Sequence, residues 1–346
     1  MKAVKYNTYE LNKCYSIAPL KYNNEDYILV AAEKQDECLL FDLAGNLVDT
    51  IWDGPGGTMS MVQVPGSNGI FLATQKFYSP NDSKEAKIVV VSPTAKGWGV
   101  KTLVELPFVH RFDILEYNNA NYLIACSLKS GHEFKDDWNH PGEILVAKLP
   151  DDLSGFDETN QLELSVIKSG LLKNHGYSKI ANHYGQVALV GSNEGILKVV
   201  PPYVEDEEWN IITLYNQPVS DMVMADLDND GKEEIVITTP FHGDAVKVLK
   251  LIDGDYQEVY QVPFKMEFTH SLWAGEIYGN KMAIIGHRQG ERNIIRISYE
   301  NNGYVTEVLD KDVGSANIYL YEVDGEKRMV SINREIDQIG FYRFER

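Results

Sequence analysis

Three histidines hold the same place in a recurring phrase: His110 in PFVHRFDIL, His175 in KNHGYSKI and His270 in FTHSLWAGEI. Imidazole changes charge near neutral pH and is the commonest metal ligand among side chains. Neutral imidazoles suit zinc, manganese, iron or nickel. Three of them leave a coordination position open for water or substrate. The same set could instead move protons as general acid and base. The plainer alternative is that each is a polar channel residue bonded to water. His110 and His175 lie 65 residues apart and His175 and His270 lie 95 apart, so a repeating fold is needed to bring them together.

The sequence supplies that repeat. A short apolar strand, a turn, a second apolar strand, a polar loop and a third strand recur seven times. The position held by histidine in three copies is Cys14, Thr58, Ser220 and Ser315 in the others. The seven positions are separated by 44, 52, 65, 45, 50 and 45 residues. Strand-built repeats of this period are the signature of a β-propeller. We therefore expect an all-β, seven-bladed propeller with four-stranded blades, forming one domain over residues 1–346. The last copy lacks a fourth strand, and KAVKYNTYEL at the N-terminus has no copy of its own. The N-terminal strand is expected to close the last blade and so remove an open edge.

In a propeller the start of the innermost strand (A) and the end of the next (B) share one face near the axis. The B strands end in Lys34, Gln75 and Lys76, Lys129 and His132, Ser192 and Asn193, His242, His287 and Arg288, and Asn333 and Arg334. This reads as a cationic, histidine-lined funnel in a chain of formal net charge -19. Such a funnel focuses anions or oxygen-rich ligands. His287 would join the three histidines as a metal ligand or catalytic group, Lys129 could move a proton, and Glu133 or Glu291 could complete a metal shell. Lys34, Lys76, His132, His242, Arg288 and Arg334 would hold substrate oxygens. Tyr177, Trp273 and Tyr319, early in A strands, either line the channel or pack between blades.

Two further segments carry possible chemistry. Asp226-Leu-Asp228-Asn-Asp230-Gly231, with Glu234 following, spaces oxygens as a calcium loop does. It lacks the helices and final glutamate of an EF-hand. It lies between strands A and B of copy five, on the face away from the histidines. It is either a structural calcium site or a tight Asp/Asn/Gly turn. The insertion His132-Glu133-Phe-Lys135-Asp136-Asp137-Trp138-Asn-His140 is long and polar. Trp138 is either a platform for a sugar ring or the anchor of a solvated loop.

Composition narrows the field. The acidic balance argues against nucleic acid and anionic membranes as partners, and no apolar run approaches the length of a membrane span. The start, MKAVKYNTYEL, shows no secretory core. Three cysteines without metal spacing read as reduced thiols, so a cytoplasmic location is expected. There is no GxSxG elbow, P-loop, HExxH or GxGxxG.

The DxDxDG turn resembles that of FG-GAP or VCBS propeller repeats, and the resemblance runs the length of the chain. The phrase THSLWAGEIYGNKMAIIGHRQGERNIIRI is similar to blades in the propeller domain of aldos-2-ulose dehydratases, whose A strands open with His and whose B strands end in GHR. That likeness covers copies three to six, Phe108 to Ser298. It implies metal-assisted dehydration of a keto-sugar, with His110, His175, His270 and His287 in catalytic or ligand positions and Arg288 on substrate oxygen. The cupin-like domains that follow the propeller in the fungal enzymes have no counterpart here. The expectation is thus a metal-dependent lyase or isomerase acting on a sugar, keto-sugar or sugar acid. The alternative is a non-catalytic propeller that binds a partner, which predicts an aromatic or apolar patch on one face. A glycoside hydrolase ranks last, because the funnel positions are poor in carboxylates.

Overall fold

The computed structural model describes residues 1–204 and 207–346. Its described residues form five four-stranded antiparallel sheets and one eight-stranded sheet, in which two four-stranded sets are linked at Tyr117 and Gly185, and their only helix is one 3-10 turn, Arg334–Ile336. These sheets are the blades of a seven-bladed β-propeller. The third blade runs Val109–Tyr117, Ala120–Ser127, Gly142–Lys148 and Ser165–Leu171. The fifth runs Asp221–Ala225, Glu234–Thr239, Ala245–Ile252 and Asp255–Gln261, and the sixth Thr269–Ile277, Asn280–His287, Ile294–Glu300 and Gly303–Asp310.

The gradient of burial across each blade follows from its sequence. Strand B is a continuous apolar run, such as YLIACS or MAIIGH, and its side chains are buried on both faces. Outer strands such as DYQEVYQ are largely exposed. The A–B hairpins at Asn23-Asn24 and Asn118-Asn119 place both residues at positive φ (52° and 65°, 45° and 62°). Asparagine tolerates that region, which matches strand twist in a two-residue hairpin.

The last blade comprises Ser315–Val323, Glu326–Asn333 and Gln338–Glu345, and Lys2–Glu10 is its fourth strand. The ladder runs from Lys2 opposite Glu345 to Glu10 opposite Gln338. Beyond it, Lys13 Nζ lies 3.0 Å from the Asp337 carboxylate. The closure expected from the unassigned N-terminal strand is therefore present.

The chain gathers into two compact units. One comprises Met1–Cys14, Asn193–Ile196 and Thr213–Arg346, the other Tyr15–Ser192 and Leu197–Ile212. In the second unit, Leu29, Leu40, Phe71 and Val89 pack blades one and two together, and Ile124, Ile144, Val187 and Val199 join blades three and four. In the first unit, Val236, Val248, Ile285 and Ile295 join blades five and six, and Ile284, Ile318, Met329 and Tyr342 join six and seven.

Candidate functional site

A β-bulge aims two of the histidines. In blade three Val109 pairs with Ser127 and Arg111 with Cys126, which leaves His110 as the extra residue. In blade six Thr269 pairs with His287 and Ser271 with Gly286, so His270 is the extra residue. A bulge re-aims a side chain out of the regular pleat. Blade seven carries the same bulge at Ala316, between the paired Ser315 and Asn317. The true counterpart of the histidines there is Ala316, one residue beyond the Ser315 suggested by the spacing.

Within the second unit His110 and His175 are both buried, with ring centroids 4.5 Å apart, and Phe77 stands edge-on to His110 at 5.0 Å. Within the first unit His270 is buried, and His242 lies 5.2 Å from it with Phe241 and Phe268 on its other sides. His287 has a structural task. Its Nε2 accepts the Asn293 backbone N–H at 3.0 Å. That bond requires a neutral ring with its proton on Nδ1. Burial also lowers its pKa below the ordinary histidine value.

The basic residues of the expected funnel have partners inside the protein. Lys34 Nζ donates to the Tyr78 carbonyl. Lys76 Nζ pairs with Glu85 at 2.9 Å. Lys129 is 1% exposed; its Nζ donates to the Asp137 carbonyl at 2.9 Å and sits 4.3 Å over the Trp138 ring. Burial pulls the Lys129 pKa down. Arg288 donates through Nε and NH2 to Glu335, each at 2.7 Å, and stacks over Phe268. Arg334 reaches the same carboxylate oxygen at 2.9 Å. Burial pushes the Glu335 carboxyl up, but Arg288 and then Arg334 outweigh it and hold the group below its usual range.

The insertion folds around a residue that sequence reasoning passed over. Asp137 is 2% exposed and its carboxylate accepts the backbone N–H of Glu133 and of Asn139, each at 2.9 Å, and the Asn139 amide at 2.7 Å. These bonds, the backbone one to Glu133 first, hold its pKa below the ordinary carboxylate value. The Asp-x-Asn spacing at 137–139 is the signal that could have revealed this turn. Trp138 lies against the Lys129 and Lys173 ammonium groups, and His132 stands edge-on to Phe108 at 5.7 Å with no hydrogen bond to either ring nitrogen. Glu133 is exposed, while Glu291 accepts from the Asn293 amide at 2.9 Å.

The acidic turn of blade five is paired with lysines of the protein itself. Asp226, Asp228 and Glu234 offer oxygens within 4.8 Å of one another. Lys250, on the neighbouring strand, pairs with Asp228, with Asp230 at 2.8 Å and with Glu234 at 3.4 Å. Lys281 of blade six pairs with Asp226 at 2.7 Å. Glu234 is fully buried and accepts the Leu227 N–H at 2.7 Å; burial raises its pKa.

A series of grooves lies elsewhere, on the A–B hairpin side of the second unit. The largest, about 640 Å³, is walled by Lys21, Asn24, Val64, Gly66 and Glu116. Beside it the Tyr184 and Tyr203 rings are half exposed, 5.0 Å apart, with Tyr184 edge-on to the buried Tyr117 at 6.2 Å. No catalytic signature marks these residues, so a search for chemistry in the sequence missed them. Among the described residues no helix is long and apolar enough to cross a membrane.

No family model matches the chain, and no curated protein matches it. Among solved structures the chain is similar to BBS1N, in a crystal structure of BBS1N in complex with ARL6DN soaked with mercury. The likeness has a TM-score of 0.59 at 11% identity and covers 99% of this chain and 97% of that one. Across so complete a span, with so little shared sequence, the likeness shows the β-propeller fold.

Proposed function

We propose that this protein is a non-catalytic β-propeller that binds a partner protein. One observation carries the reading: the cationic side chains that could have bound a substrate are engaged within the protein. Lys34, Lys129, Arg288, Arg334 and His287 are each tied to a carbonyl, a carboxylate or a backbone N–H. An enzyme pocket of the expected kind would keep some of these donors directed at empty space. Fold alone does not assign function. BBS1N, solved with ARL6DN, is one protein of this shape found in a complex.

A second reading keeps the histidines. The pairs His110–His175 and His242–His270 place imidazoles close together, with His110, His175 and His270 buried and His242 half-buried. That supports a divalent transition metal and, with it, a lyase or isomerase acting on a sugar or sugar acid. When bound, such a metal would polarise a carbonyl and acidify the adjacent C–H.

Metal analysis and turnover separate the two. Purified and metal-loaded protein, beside His175→Ala/His270→Ala, would be assayed for bound metal and against a keto-sugar panel. The binding-module reading expects no stoichiometric metal and no turnover. It also expects discrete protein adducts when photo-crosslinkers are scanned across the surface in the source cells. Stoichiometric metal lost in the double variant, together with turnover, sinks it.

A further inference from the structure

Resting on the binding-module reading, we infer that the hairpin face of the second unit binds an extended, basic polypeptide segment of the partner. Four cavities of about 640, 500, 450 and 300 Å³ share walls there. The first and second meet at Pro65 and Gly66, the second and third at Asn118–Asn121, and the third and fourth at Asp151. A linked series of this kind suits a chain better than a compact molecule. Compact ligands generally occupy one enclosed pocket.

The walls are fixed before any ligand arrives. Asn23 N–H donates to the Asn68 side chain at 2.6 Å, and the Asn118 amide donates to the Tyr203 carbonyl at 2.6 Å. Rigid amide walls reduce the ordering cost of binding and offer donors and acceptors to a peptide backbone. Tyr184 and Tyr203 are 52% and 49% exposed, and the edge-to-face contacts of Tyr184 with Tyr117 and Tyr203 brace them. Half-exposed tyrosines held in place give contact area at small entropic cost. Their rings stand tilted against each other, which suits interdigitating side chains better than a stacked sugar.

Charge selects the sign of the segment. Glu116, Asp151 and Asp152 are exposed along the grooves against the exposed Lys21 and Lys148, and Lys179 is taken up by Asp113 at 2.8 Å, so apart from that pair the exposed carboxylates outnumber the exposed lysines three to two. The whole chain carries -19. A field of that sign steers basic partners and repels acidic ones.

The test uses the full-length protein and two pools of fluorescein-labelled 12-residue peptides, one Lys/Arg-rich and one Asp/Glu-rich, both with interspersed aromatic residues. Fluorescence polarisation should show binding of basic peptides only, weakened as salt rises. Tyr184→Ser/Tyr203→Ser should cut affinity about tenfold or more, and Asp151→Lys/Asp152→Lys should do likewise. Both double variants change exposed side chains, and an unchanged melting temperature establishes that each is folded. Equal binding of the two pools, unaltered binding by the variants, or selective binding of glycans on an array overturns the proposal. A photo-crosslinker at position 184 separates this failure from that of the parent reading. Adducts formed only from other surfaces refute the groove and leave a binding module, whereas adducts from no surface refute both.

Discussion

Replacing Lys250 by methionine should destabilise the protein and make it calcium-responsive. The reasoning begins with distances. Oxygens of Asp226, Asp228 and Glu234 lie within 4.8 Å of one another. At an effective dielectric constant near 20, two unit charges at that separation repel by roughly 3.5 kcal/mol. Glu234 is fully buried and Asp228 has a tenth of its side chain exposed, so solvent relieves little of this. Lys250 supplies the compensating charge to both, and methionine keeps its length and packing without the charge. Removing one partner of a buried pair costs about 3–5 kcal/mol. Lys250 is itself one-fifth exposed and Lys281 remains on Asp226, so the loss should fall at the low end, about 3 kcal/mol. For 346 residues an unfolding entropy of roughly 2.1 cal/mol/K per residue gives about 1.4 °C per kcal/mol, hence a fall of about 4 °C. Differential scanning fluorimetry in chelator and in millimolar calcium would read it. Calcium should return most of the loss to Lys250→Met and leave the wild type unmoved, because a ligand at 100 times its Kd contributes about 2.7 kcal/mol. If calcium raises the wild type as much as the variant, the lysine is not the resident cation. If Lys250→Met melts like wild type in chelator, the acidic turn needs no counter-charge.

Three other outcomes follow from the same contacts. His287 should make the protein acid-sensitive: its folded pKa lies below the ordinary 6.5, so stability is complete above about 6.5 and falls as pH drops through the window beneath it; the melting temperature of His287→Gln should change less between pH 7.5 and 5.5, and a parallel fall in both proteins would refute this. Lys129→Met should loosen the insertion, with amide exchange at 133–139 about tenfold faster or more and the blade strands unaffected; unchanged protection would mean that Asp137 holds the loop alone. Deleting residues 1–10 should expose Gln338–Glu345 as an open edge, lower the melting temperature by several degrees and promote self-association, and adding the peptide KAVKYNTYE in trans should reverse both.

The blades were legible because a blade is written in local patterns. Runs such as YILVAA and QVALVGS must be buried on both faces, and an Asn-Asn pair between two such runs dictates a hairpin. The N-terminal strand could be placed by elimination, since the seventh copy was one strand short. The site was less legible because its meaning depends on partners that periodicity does not encode. Counting Lys34, Lys76, Lys129, Arg288 and Arg334 gives a cationic face; only coordinates reveal Glu85 beside Lys76, or one Glu335 oxygen shared by two guanidinium groups. The DxDxDG turn read as either a calcium loop or a tight turn, and the sequence did not reveal the lysines paired with it. Lys250, which pairs with Asp228, Asp230 and Glu234, lies sixteen residues past Glu234 in sequence and on the adjacent strand. A one-residue bulge displaced the copy-seven counterpart from Ser315 to Ala316, which spacing alone cannot register. In each case the backbone repeat fixed where a side chain starts, and a non-local contact decided what it does. A search led by charged and metal-ligating residues therefore pointed to side chains that are engaged within the protein, while Tyr184 and Tyr203 of the hairpin face are half exposed.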